Sequence, residues 1–284
     1  MSIQASLRLF LGVFCIVCWP LLGLHAESAL QHSRDAQNIP VRQLSVDEAA
    51  SFWEDVHKAH EQNTYALVFK LKHKGKYENF PEEEGWLYHF TNSQGEHCWR
   101  LYFPNTHCQY FLKDTLEAWG YAGEKAFKLE KASIFEPLSP HNNYSLYDLS
   151  LLFMHWPHEK YLESQRFLGR KSHTFSLSPP ADMAEHLGPI RVCVDAHFLS
   201  LLKAEWLEPN HPSPVRKLNI LSFQKTQEGV WFAKCFELSD YSTCSKTELK
   251  IVFCTFSPKL DGLHCKKAED LALAPPYPSS HEAP

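Results

Sequence analysis

Histidines are the residues whose spacing first suggests chemistry. His155 and His158 lie three apart at the end of YDLSLLFMHWPHEKY, and His57 and His60 stand three apart before Glu61. Either pair could hold zinc if both rings projected from one continuous helical turn. Pro157 falls between the first two, and proline disfavours helix for the residue before it, so His158 lies beyond any helix that holds His155. The chain has 17 histidines, so short spacings between them are expected by chance. Neither HExxH nor HxxEH occurs, and there is no GxSxG elbow or phosphate-binding loop. Scattered Ser, His and Asp residues single out no triad. The expectation is a non-catalytic protein with no metal and no cofactor.

The elements around these residues have clear periods. Ser45 and Glu48 form a capping-box pattern at the start of a helix reaching about Glu61, with Ala49, Phe52, Trp53, Val56 and Ala59 at helical spacing. The period then changes to two. In YALVFKLKHK, Tyr65, Leu67, Phe69 and Leu71 share one face and Lys70, Lys72 and Lys74 the other, which is the pattern of a half-buried strand. Trp86–Phe90, His97–Phe103, Gln109–Leu112 and KAFKLEKASIF read as further strands. After a loop, Leu149, Leu152, Phe153 and Trp156 fall at i, i+3, i+4 and i+7, the apolar stripe of a short amphipathic helix with Asp148 near its positive end. From Phe167 the strands resume as SHTFSLS, IRVCVDA, LLKAEWLE, VRKLNILSFQK, VWFAKCFELS and TELKIVFCTF, separated by turn-forming sequence. The expected class is α+β, mainly antiparallel β, with a few helices.

The N-terminus reads as a secretory signal over residues 1–26. Leu9–Leu24 is an uncharged run of 16 residues, short of the roughly 20 that span a bilayer, and Ala26 precedes Glu27. Retention of this segment as an inner-membrane anchor is the alternative. A flexible leader (27–43), one domain (44–257) and a Pro-rich, disordered tail (258–284) complete the expected organisation. Seven of the 9 cysteines follow the signal, an odd number in a compartment that permits disulfides. A net charge of −5 without a long basic block gives no support to nucleic-acid binding.

Between Tyr147 and Glu237 the sequence resembles the bacterial outer-membrane lipoprotein-sorting proteins, the LolA-like superfamily. The resemblance rests on Trp156-Pro157, Gly169-Arg170, Val192–Asp195, Ala204-Glu205, Ser222-Phe223 and Gly229-Val230-Trp231. It implies a strongly curved, incomplete β-barrel covered by a few helices, with a lined cavity for acyl chains. In the sorting proteins a lid-closing arginine sits on an early strand; here that strand offers only Lys70 and Lys72, both on the outer face.

These patterns assign an inner, apolar face to Leu67, Phe69, Leu71, Trp86, Tyr88, Phe90, Trp99, Leu101 and Phe103, with Leu149, Leu152, Phe153 and Trp156 closing over it as a lid helix. Burying an acyl chain yields about 0.8 kcal/mol per methylene, or on the order of 12 kcal/mol for 16 carbons before ordering costs. The expected function is a periplasmic carrier for a lipid, lipoprotein or lipopeptide that passes its cargo to a membrane-associated hand-over partner and works as a monomer. An envelope sensor or interaction module of the same fold is the alternative, and a hydrolase of envelope material the third reading.

Overall fold

The computed structural model describes residues 41–256 except 62–63, 76–79, 93, 123–124, 140, 182, 185, 209–212 and 227–228. The expected signal, most of the leader, Cys265 and the Pro-rich tail lie outside the described residues.

Helix α1 (Val46–Glu61) begins where the capping pattern places it. The Glu48 amide donates to Ser45 Oγ at 3.3 Å, and the Ser45 amide donates to Glu48 Oε2 at 2.9 Å. These bonds satisfy two of the amides that a helix start leaves without partners. Just before the helix, Gln43 bonds the backbone of Ser164, tying the entry of α1 to a distant strand.

Among the described residues thirteen antiparallel strands form one sheet: β1 (Tyr65–Lys74), β2 (Glu83–Thr91), β3 (His97–Phe103), β4 (Cys108–Lys113), β5 (Ala118–Ala122), β6 (Lys125–Lys128), β7 (His158–Phe167), β8 (Arg170–Leu177), β9 (Ile190–Asp195), β10 (Leu201–Leu207), β11 (Pro214–Lys225), β12 (Trp231–Asp240) and β13 (Ser245–Phe256). Their order is β6-β5-β4-β3-β2-β1-β13-β12-β11-β10-β9-β8-β7, so every neighbour is joined by a hairpin or short connection except the central pair β1 and β13. The sheet is not closed, since β6 and β7 remain edges. So wide a sheet of right-twisted strands must curl to bury one face. Side chains from both arms, such as Leu112 on β4 and Val192 on β9, meet in one buried core with α1. Bulges at Val252 on β13, opposite Val68 and Phe69, at Leu221 on β11 and at Lys234 on β12 add to the bending. The fold is therefore a mainly antiparallel, open β-barrel with few helices, as the resemblance implied.

Two strands went unrecognised in sequence and one was over-read. β7 is an edge strand whose side chains are mostly charged or polar and solvated, so it carries no apolar alternation. β5 is only five residues long, with a glycine at its centre. In KAFKLEKASIF only Lys125–Lys128 pairs; Lys131–Ile134 coils into a 3-10 turn.

The expected continuous helix over Leu149–Trp156 is a correction. A five-residue helix, α2 (Leu146–Ser150), stops at Leu151, which takes a left-handed backbone (φ 51°), and a 3-10 turn follows over Leu152–His155. An amphipathic helix would have kept a wet face. Here all of α2 is buried, together with Leu152, Phe153, Met154 and Trp156, so the segment fills the centre of the curved sheet instead of lying across it.

Candidate functional site

The residues assigned to the inner face from sequence divide between two sides of the sheet, those of β1 and β3 on one and those of β2 on the other. Register decides this. Leu67 pairs with Leu87, and Leu87 pairs with Leu101, so these three side chains point the same way. Phe69 pairs with Gly85, where an added Cβ would come within 2.3 Å of the Phe69 ring. The ring of Phe69 thus crosses the strand where there is no side chain to oppose it. Leu67, Phe69, Leu71, Trp99, Leu101 and Phe103 all face the main core. Trp86, Tyr88 and Phe90 face the opposite side. Tyr88 and Phe90 join Cys98 and Phe111 in a separate outer cluster, and Trp86 pairs with Tyr102. Both faces of β2 are buried, so alternation alone could not tell them apart, and a one-residue slip exchanges every side chain.

The central segment is fixed from two sides. Trp53 Nε1 on α1 donates to the Trp156 carbonyl at 2.9 Å, and His57 Nε2 donates to the same carbonyl at 3.0 Å. Asp148 completes a capping box with Ser145. It also pairs with Arg216 on β11, which donates to Asp148 Oδ2 at 2.7 Å and to the Asn143 carbonyl at 2.8 Å. Phe153 packs edge-on against Trp206 of β10.

Beside this plug, between the C-terminal end of α1 and the concave face of β10 to β13 and β1, lies a cavity of about 280 Å³. Its wall is mainly aliphatic and aromatic: Leu67 and Phe69 from β1, Ile220 from β11, Phe236 from β12, and Leu249 and Ile251 from β13. Of the residues assigned from sequence, Leu67, Phe69 and Leu149 line it. Leu71, Trp99, Leu101, Phe103, Leu152, Phe153 and Trp156 pack in the solid core beside it. The contributions of β11 to β13 were not foreseen, although Leu218 and Ile220, and Thr247, Leu249 and Ile251, alternate in the sequence as a one-sided strand should.

The polar groups of the wall carry little net charge. Burial, with His57 nearby, lowers His60 to about 4, so its ring is neutral near pH 7. Burial raises Tyr65 to about 12, leaving a neutral hydroxyl. The Asp148 carboxylate is held by Arg216. A cavity with this lining excludes ions and accepts hydrocarbon.

Among the described residues no group of three or more His, Cys, Asp or Glu is placed to hold a metal ion. His155 turns instead toward His97, with ring centroids 5.1 Å apart, and His97 Nδ1 lies 3.3 Å from His89 Nε2. Burial and the neighbouring His60, His97, His89 and His57 lower His155 to about 3. His158 packs against Phe175 and Trp53. No disulfide joins any two of the six described cysteines.

No protein-family model matches the sequence, and no curated protein matches it. Solved structures do. A domain described as an outer membrane lipoprotein-sorting protein from Vibrio parahaemolyticus superposes with a TM-score of 0.63 at 14% identity, covering 75% of this chain and 94% of that one. A LolA-superfamily protein from Nitrosomonas europaea gives 0.59 at 11% identity, covering 75% and 97%. At such identities the likeness is one of fold, and the chain has the open-barrel fold of the outer-membrane lipoprotein-sorting proteins.

Proposed function

We propose that the protein is a non-catalytic carrier that holds the acyl chain of a lipid, lipoprotein or lipopeptide. The observation that carries this reading is the apolar cavity of about 280 Å³ between α1, the central plug and β10 to β13. A methylene occupies about as much space as a water molecule, roughly 30 Å³, so the cavity takes about nine of them as it stands. Their transfer is worth on the order of 7 kcal/mol at about 0.8 kcal/mol each. That supports binding without a covalent bond and still permits release to a partner. A longer chain requires α1 to shift from the plug, which it meets through two hydrogen bonds to the Trp156 carbonyl and through the packing of Ala49, Trp53 and Val56 in the core.

The proposal places the carrier in the periplasm as a monomer, exported by a cleaved signal or anchored to the inner membrane by an uncleaved one, and handing its cargo to a membrane-associated partner. The test is native mass spectrometry with lipid extraction of protein purified from its own envelope. Lipid or lipopeptide at near-unit stoichiometry is the expected result. Protein that carries none, and takes up none when offered fatty acid or lipopeptide, ends the carrier reading. A sensor module of the same fold is the second reading, favoured by Phe198 and Trp231, which line the cavity yet remain 45% and 49% exposed.

A further inference from the structure

Three neighbouring hairpins turn at the same end of the strands: β7–β8 at Leu168-Gly169, β9–β10 through Phe198, and β11–β12 through Val230. Their tips are apolar and exposed: Leu168 65%, Phe198 45%, Val230 42% and Trp231 49%. They form one strip. The Phe198 and Trp231 rings are 6.4 Å apart, and Arg170 stacks over Phe198 at 5.2 Å and over Phe223 at 4.8 Å. Lys225 lies 6.0 Å from the Trp231 ring. Phe198 and Trp231 also line the cavity, so the strip is the rim of its mouth.

Among the described residues the outward-facing charge at the rim is basic. The described ionisable side chains of these tips are Arg166, Arg170, Lys171, Lys225, His197 and Asp195. Asp195 is buried and paired with Arg170 at 3.0 Å, so those two charges offset each other and the charge left among the described side chains is that of Arg166, Lys171 and Lys225. Amphipathic aromatic rings interleaved with Arg and Lys match the boundary between headgroups and acyl chains of an anionic bilayer.

We propose that this rim docks the protein on an anionic phospholipid surface, with the cavity mouth facing the bilayer. Hydrocarbon then passes between membrane and cavity without crossing water. The docking rests on the rim alone and does not require the cavity to hold any particular cargo.

The test uses the full chain and sedimentation with two kinds of vesicle, pure phosphatidylcholine and phosphatidylcholine with phosphatidylglycerol. The apolar run at residues 9–24 has the composition of a vesicle-binding segment, so each reading is a difference between the parent and a variant of the same chain. Lys171→Gln with Lys225→Gln is expected to weaken binding to the anionic vesicles about fivefold per cation removed. It should leave binding to neutral vesicles unchanged. Phe198→Ser with Trp231→Ser is expected to weaken binding to both. Val230→Ser, which touches only an exposed side chain, is expected to do so to a smaller degree while leaving the unfolding midpoint unchanged. Brominated lipids should quench tryptophan emission less in Trp231→Phe than in the parent. Variants that bind like the parent, or quenching unaffected by Trp231→Phe, overturn the proposal, as does a rim that serves a protein partner and leaves vesicle binding untouched. Loss of docking with retained co-purifying lipid would remove this inference and leave the carrier reading standing; the reverse result would do the opposite.

Discussion

Arg216 donates to the Asp148 carboxylate at 2.7 Å across 68 residues of sequence, joining the central plug to the wall of the sheet. The Asp148 side chain is fully buried and that of Arg216 is 21% exposed. Removing the arginine leaves the more deeply buried charge without its counter-ion. Arg216→Met is therefore expected to cost about 3–5 kcal/mol in urea unfolding at pH 7. Adding Asp148→Asn should recover part of that loss, because the stranded charge is gone. With Asp148→Asn also measured alone, single-variant costs that simply add in the double variant would show the pair to be uncoupled.

Gly85 lies beneath the Phe69 ring, where a Cβ would come within 2.3 Å of it and 3.0 Å of Phe103. Gly85→Val forces both rings to move and is expected to destabilise by about 1–3 kcal/mol, read from the denaturant midpoint. An unchanged midpoint would mean that the rings have room to retreat.

Acid should loosen the protein. His60 and His155 are lowered from 6.5 to about 4 and about 3, chiefly by burial. A histidine depressed in the folded state binds fewer protons there than when unfolded. Its contribution is therefore full above pH 6.5 and declines as pH falls toward the folded value. Each residue accounts for at most about 1.4 kcal/mol per pH unit in that window. Stability measured at pH 7 and pH 5 should differ by a few kcal/mol, and His60→Gln with His155→Gln should flatten the difference. A parent as stable at pH 5 as at pH 7 would exclude this coupling.

Filling the cavity separates its proposed use from its place in the fold. Ala233 lines it and is only half-buried, so Ala233→Phe should project a ring into the void with a small change in unfolding midpoint. Lipid carried through purification should fall several-fold by native mass spectrometry. Undiminished lipid in a folded variant would place the cargo elsewhere.

Local sequence determined what local physics controls. The Ser45/Glu48 cap and the apolar spacing behind it define α1, because both act within a few residues. Alternation in β1 and β3 identified Leu67, Phe69, Trp99 and Leu101 as core-facing. Motifs from Trp156-Pro157 to Trp231 carried the resemblance to the open-barrel fold.

Tertiary structure decided the rest. Which face of β2 is inside follows from pairing with β1 and β3, since both faces of that strand are buried and its own pattern is degenerate. The segment around Phe153 has helical spacing, but it is enclosed on every side. With no solvated face to maintain, it folds as two tight turns broken at Leu151 and fills the barrel as a plug. The cavity wall on β11 to β13 exists only because the first and last strands pair at the centre of the sheet. Neither contact lies within reach of local sequence, because side chains from distant strands become neighbours only when the sheet curls.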